Sequence, residues 1–91
     1  MRFTWDPKKA ATNARKHGVT FEEATTVFMD PLAIVLSDVL HLDRASIVGT
    51  SAAARVLVTI FTEVHDDTIR IISARRATNR ERKRYESGEE S

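Results

Sequence analysis

The spacing of apolar residues changes twice along this chain. Up to about Pro31 they recur every three or four residues, as on one helix face. From Leu32 to Ala74 they alternate, as in strands, and beyond Ala77 they almost vanish. Phe3-Thr4-Trp5 reads as a short strand. Asp6 is then a natural N-cap, and Pro7 takes the first helical position, where its missing N–H costs nothing. This helix is expected to run to about Lys16. Ala10, Ala11 and Ala14 give it a narrow apolar stripe suited to close packing on a sheet. Gly18 supplies the left-handed residue that ends it. Thr20 and Glu23 form a capping box for a second helix, whose Phe21, Ala24, Val27 and Phe28 share one face. It should stop before Asp30-Pro31, because the residue preceding a proline is biased away from helix.

Leu32–Leu36 and roughly Ser46–Thr50 are strand candidates. Arg55–Glu63 is the clearest strand, with β-branched and aromatic residues throughout. A turn at His65-Asp66-Asp67 leads into Thr68–Ala74, close enough to make the last two strands an antiparallel hairpin. Val56, Val58 and Ile60 alternate with Leu57 and Phe61, so this strand is central and covered on both faces, at least partly. Thr78 and Glu81 repeat the capping box and open a last helix with almost no apolar face beyond Ala77 and Tyr85. Core burial cannot hold such a helix; a partner, nucleic acid or only loose attachment remains. The pattern predicts a single α+β domain over residues 1–85. Its expected parts are an antiparallel sheet of about four strands, two N-terminal helices packed on it and a short polar C-terminal helix. Residues 86–91 read as a disordered tail.

At 91 residues there is room for one modest core, and 42% hydrophobic with 30% charged residues fits an ordinary globular chain. No run approaches a membrane span and the N-terminus has no signal-peptide core; with no cysteine, nothing points to secretion, so the cytoplasm is expected. The net charge of +1 hides a strong pattern: residues 1–21 sum to +4, 22–67 to −6, 68–84 to +6 and 85–91 to −3. In 68–84, Arg70, Arg75, Arg76, Arg80, Arg82, Lys83 and Arg84 stand against Glu81 alone. So much like charge in so few residues fits a polyanion-binding surface, and nucleic acid is the expected partner.

Within that surface, Arg75 and Arg76 follow an alternating strand and should point to opposite faces. Strict alternation would group Arg70 with Ile72, Ala74 and Arg76, and Ile69 with Ile71, Ser73 and Arg75. An arginine fork suits a phosphodiester, since it binds two phosphate oxygens and meets charge building up in the transition state. The competing role is a salt bridge to the acidic middle of the chain. Lys16-His17 closes the first helix; His17 either moves a proton of an RNA 2′-hydroxyl or 5′-oxygen, or serves as a basic residue at the helix dipole's negative end. Arg55, Lys16, Arg80, Lys83 and Arg84 are candidates for gripping flanking phosphates. Tyr85 stacks a base or assists proton transfer, or else it anchors the last helix on the sheet. Trp5 is a core residue or a stacking platform. No pair of histidines or carboxylates has a metal-ligand spacing, so neither metal nor cofactor is expected.

Four stretches carry a family resemblance: Phe3/Trp5/Asp6/Pro7/Lys9/Ala10; Lys16–Val19 with Phe21–Ala24; Phe28/Asp30/Pro31/Leu32; and Arg70–Ala77 with Glu81, Arg82 and Tyr85. They resemble the BrnT family, toxins of bacterial BrnT–BrnA type II toxin–antitoxin systems, over residues 3–85. Around Val39–Arg44 and Ser51–Ala54 no family pattern is present. The resemblance implies a RelE-like fold and metal-independent cleavage of RNA that inhibits translation. It also implies neutralisation by a BrnA-like antitoxin in a hetero-oligomer, with operator DNA bound only through that complex. Transferred residue by residue, it points at Lys16, His17, Arg75, Arg76 and Tyr85. A different class of function stays open beside it, a non-catalytic module that binds nucleic acid or the antitoxin in operon autoregulation.

Overall fold

The computed structural model describes residues 1–38 and 40–88. In chain order they form β1 (Arg2–Thr4), α1 (Pro7–His17), α2 (Phe21–Thr26), a 3-10 turn (Val27–Met29), β2 (Ile34–Ser37), β3 (Ala45–Thr50), β4 (Val56–Glu63), β5 (Thr68–Arg76) and α3 (Asn79–Ser87). The cap signals act as their chemistry dictates. Asp6 accepts from the Lys8 N–H, Thr20 from the Glu23 N–H, and Thr78 with Glu81 closes a full capping box. Gly18 ends α1 at φ 68°, a conformation that costs a residue with a Cβ. Glu86 and Ser87, expected in a tail, complete α3, while residues 89–91 lie outside the described residues.

The sheet has five strands in the order β1-β5-β4-β3-β2, not four, and it is mixed rather than antiparallel. Four neighbours run antiparallel from β2 to β5, but β1 pairs parallel with the first third of β5, Arg2 opposite Thr68 and Thr4 opposite Arg70. Three residues suffice because Phe3 points into the core from this edge, its ring 5.2 Å from Phe28. The β4–β5 hairpin reverses through Asp66 and Asp67, both at positive φ, which aspartate tolerates better than most residues.

One face of the sheet carries Ile47, Leu57, Phe61, Ile69, Ile71 and Ala74 and packs against Val19, Phe21, Ala24 and Val27 from α2 and its flanks. Burying side chains such as Phe21, Leu57 and Ile71 stabilises by about 1.5–3 kcal/mol each. Trp5 belongs to this layer, edge-on to Phe21, so it is a core residue. The second face carries Val48, Val58 and Ile60 beneath α3.

Candidate functional site

Strand β5 divides the basic residues into two groups. Arg76 pairs with Leu57 on the α1/α2 side of the sheet, whereas Arg75 pairs with Val58 on the α3 side. The two arginines do point apart, but strict alternation fails upstream of them. Ile60 stands opposite Ser73 and Phe61 opposite Ile71, leaving Ile72 as the extra residue of a β-bulge. The bulge shifts the phase, so Ile69, Ile71, Ala74 and Arg76 share the α1/α2 face and Arg70, Ser73 and Arg75 share the other. The grouping expected from simple alternation is corrected accordingly.

Beyond Arg70 the outer edge of β5 has no strand neighbour among the described residues, since β1 has ended. Asn13 of α1 takes the neighbour's place. Its buried carboxamide donates to the carbonyls of Ala74 (2.8 Å) and Val19 (3.0 Å) and accepts from the Ala74 N–H (3.1 Å). One side-chain amide thus satisfies an open strand edge as a peptide group would. Alongside it, Lys8, Lys9, Thr12, Lys16 and His17 face Ile72 and Ser73 across an open cleft of about 330 Å3. Among the described residues no carboxylate lines this cleft.

At the C-terminal end of α1, Arg55 is already occupied. It forks onto the Glu23 carboxylate, through Nε at 3.0 Å and through Nη2, and also donates to the Gly18 carbonyl at 3.0 Å. Glu23 further accepts from Ser51 at 2.7 Å. The Arg55 hydrogen bond, with help from Ser51 and the nearby charge of Arg76, holds the Glu23 carboxyl below the usual carboxylate range despite its burial. Arg55 therefore ties β4 to the α1–α2 junction. Arg76 is exposed and makes no ion pair within 4 Å among the described residues.

On the other face α3 is held by polar contacts within the chain, which corrects the expectation that it needs a partner or hangs loose. Arg75 forks onto Glu81 at 2.7 and 2.9 Å. That pair, opposed by burial and aided by the Thr78 N–H, lowers the Glu81 pKa to about 2. One turn on, the Tyr85 hydroxyl donates to Asp30 Oδ2 and lies 2.9 Å from Thr50 Oγ1. Burial and the Asp30 hydrogen bond raise the Tyr85 pKa, so its phenol stays protonated and anchors the helix. Burial raises the Asp30 carboxyl, but hydrogen bonds from the Thr50 N–H, Tyr85 and the Leu32 N–H outweigh it and keep the pKa low. Arg75, Glu81, Arg84 and Tyr85 rim a trough of about 160 Å3 floored by Ile34, Leu36, Val48, Val58 and Ile60. Arg80 and Lys83 sit exposed on α3.

The structure thus gathers Lys16, His17, Arg55 and Arg76 on the α1 side, and Arg75, Arg80, Lys83, Arg84 and Tyr85 on the α3 side. Sequence reasoning missed Lys8 and Lys9 of the α1 cleft, Glu81 as the partner of Arg75, Asp30 as the acceptor of Tyr85 and Asn13 as the brace of β5. Only Glu81 carried a signal, as the lone acid in a basic run. Among the described residues no three His, Asp or Glu side chains converge as a metal-binding group, and no helix is long and apolar enough to cross a membrane.

Comparison with known proteins draws these features together. Residues 5–81 match a family model described as the ribonuclease toxin BrnT of type II toxin–antitoxin systems. The 1.1 Å crystal structure of the Brucella abortus ribonuclease toxin, BrnT, is similar to this chain at a TM-score of 0.72 and 27% identity, over 87% of this chain and 99% of that one. Among curated protein sequences none matches. With the family model spanning α1, α2, the four strands β2 to β5 and the start of α3, this chain belongs to the BrnT family of type II toxin–antitoxin systems.

Proposed function

We propose that this chain is a ribonuclease toxin that cleaves RNA with its own side chains, without a metal ion, and so inhibits translation until an antitoxin neutralises it. The observation that carries this reading is the cleft between α1 and the open edge of β5. It is lined by Lys8, Lys9, Lys16 and His17 and, among the described residues, free of carboxylates, and Arg76 follows two residues after Ala74 on that side of the sheet. A phosphodiester entering it meets several cations and a group able to take up a proton. In this reading His17 accepts the proton of the RNA 2′-hydroxyl as that oxygen attacks the adjacent phosphorus. Arg76 and Lys16 stabilise the charge gathering on the phosphorane, and the 5′-oxygen departs with a proton from solvent. Lys8 and Lys9 hold flanking phosphates. Arg75 and Tyr85, whose polar atoms are engaged by Glu81 and Asp30, keep α3 in place instead of meeting the scissile phosphate.

The test is cleavage of a defined RNA in EDTA by antitoxin-free protein. Arg76→Ala is expected to slow cutting by about 10²–10³-fold, and His17→Ala by about 10²–10⁴-fold, with folding intact. Arg75→Ala is expected to change it by less than about tenfold, the effect of a supporting contact. Loss of activity in Arg75→Ala with full activity in Arg76→Ala would move the site to the α3 side. Salt-dependent RNA binding with no turnover would favour a non-catalytic module acting with the antitoxin at operator DNA.

A further inference from the structure

Seven large apolar side chains are strongly exposed among the described residues, and five of them, Met29, Leu32, Val35, Leu40 and Leu42, fall in one short stretch. Leu40 and Leu42 are 85% and 89% exposed, more than any other. This stretch surrounds β2, the outermost strand of the sheet, whose far side has no strand neighbour among the described residues. Sheet edges in stable monomers are blunted by charges, proline or bulges, because an open edge invites another strand. Ile34-Val35-Leu36-Ser37 has none of these defences: no charge, no proline, and an unbroken register with β3. Between this edge and the end of α3 lies a groove of about 620 Å3, bounded by Leu32, Ile34, Val35, Tyr85 and Glu86.

From these observations we infer that β2 is a docking edge that takes an extended segment of the antitoxin as a sixth strand. This rests on the toxin reading given above and names the surface and chemistry of the partner. The segment carries apolar side chains at alternate positions, to cover Val35 and Leu32, and basic residues at its ends. The basic ends follow from charge. From Met29 to Asp43 the only charged side chains are Asp30, Asp38 and Asp43, and Glu86 stands across the groove. Asp30 is already committed to Tyr85, Asp38 accepts from the Leu40 and His41 N–H groups and lies 3.2 Å from the His41 ring, and Glu86 lies 4.0 Å from Arg82. Asp43 is free for a partner among the described residues, while the exposed Asp38 and Glu86 would exchange a local contact for it. A second copy of this chain fits less well, because residues 29–43 around the edge carry three aspartates and no lysine or arginine and would face their like.

The test uses the full chain with a BrnA-like antitoxin that neutralises it. Backbone hydrogen exchange should show the Ile34–Ser37 amides slowed in the complex. Val35, on the uncovered edge, should accept either charge without unfolding, checked by circular dichroism and by unchanged RNA cleavage in the free variant. Val35→Lys is expected to weaken the complex about tenfold more than Val35→Glu, since only lysine repels basic strand ends. A complex that still forms and neutralises, with β2 amides unprotected and both variants binding as wild type, overturns the inference and leaves the toxin reading standing. Equal weakening by both variants overturns the basic chemistry assigned to the partner. Self-association of the free chain that Val35→Lys abolishes makes a second copy the occupant and overturns it too. Absence of both complex and RNA cleavage overturns the toxin reading itself, and this inference with it.

Discussion

Replacing Asn13 by alanine tests how the α1 cleft is built. The side chain makes three hydrogen bonds, of 2.8, 3.0 and 3.1 Å, from a buried position to backbone groups of Ala74 and Val19. Each is worth about 1 kcal/mol net, and groups left unpaired add to the loss wherever water cannot replace the amide, so Asn13→Ala should cost about 2–4 kcal/mol. A chain of this length is stable by about 5–14 kcal/mol, so the variant stays folded but visibly weakened. In urea, with a slope of about 1–1.5 kcal/mol per molar, the midpoint should fall by about 1.3–4 M. Asn13→Asp sharpens the test. The Ala74 N–H keeps its acceptor, but the former NH2 becomes an oxygen facing two carbonyls. The aspartate's folded pKa must rise above its unfolded value of about 3.9. Its stabilising contribution is then full below that value and lost as pH rises through the folded pKa, so this variant regains stability on acidification. An Asn13→Ala stability within about 0.5 kcal/mol of wild type would refute the brace, as would an Asn13→Asp variant with no acid recovery.

Three further outcomes follow from the packing. The Glu81 pKa of about 2 lies below its ordinary 4.5, so the Arg75–Glu81 pair contributes fully above 4.5 and is lost as pH falls from there toward about 2. With both partners partly exposed the contribution is about 1–2 kcal/mol, and thermal melts should show the gap between wild type and Arg75→Met closing over that window. Thr59 is fully buried with its hydroxyl unpaired, so Thr59→Val should leave stability unchanged or raise it by about 1–2 kcal/mol in urea unfolding. A Cβ at Gly49 would stand 3.0 Å from Ala33 Cβ and Val27 Cγ1 and 3.1 Å from Asp30 Oδ2, so Gly49→Ala should destabilise by about 1–3 kcal/mol and loosen α3, read by its amide exchange.

Helix limits and the β4–β5 hairpin were legible because their signals are local: Pro7, Gly18, Thr20 with Glu23, Thr78 with Glu81, and the two aspartates of the turn. The partner and direction of β1 were not, since three residues carry no mark of the strand 66 residues away that they will join. Asn13 looked like one more polar position on an exposed helix face, and Asp30 looked only like a stop signal before Pro31. Their real work depends on groups brought close by the finished sheet. The basic run was read as mutually repelling charge, yet its single acid sits six residues after Arg75 and neutralises it by folding back. Family resemblance pointed at Arg75 and Arg76 alike, and carried nothing about which arginine faces which helix.

That last assignment is a matter of counting. Upstream of Ile72 the odd-numbered residues of β5 face the core, and downstream of Ser73 the even-numbered ones do. Nothing in the chemistry of Arg75 or Arg76 decides which meets α1 and which meets α3; the number of residues before them does. Substitution at Ile72 leaves the count intact. Gaining or losing one residue between the bulge and Arg75 trades the two guanidiniums across the sheet, unless the strand absorbs the change in another bulge. Relatives of this chain are therefore free to vary the letters of this segment, but its length can drift only in compensated steps.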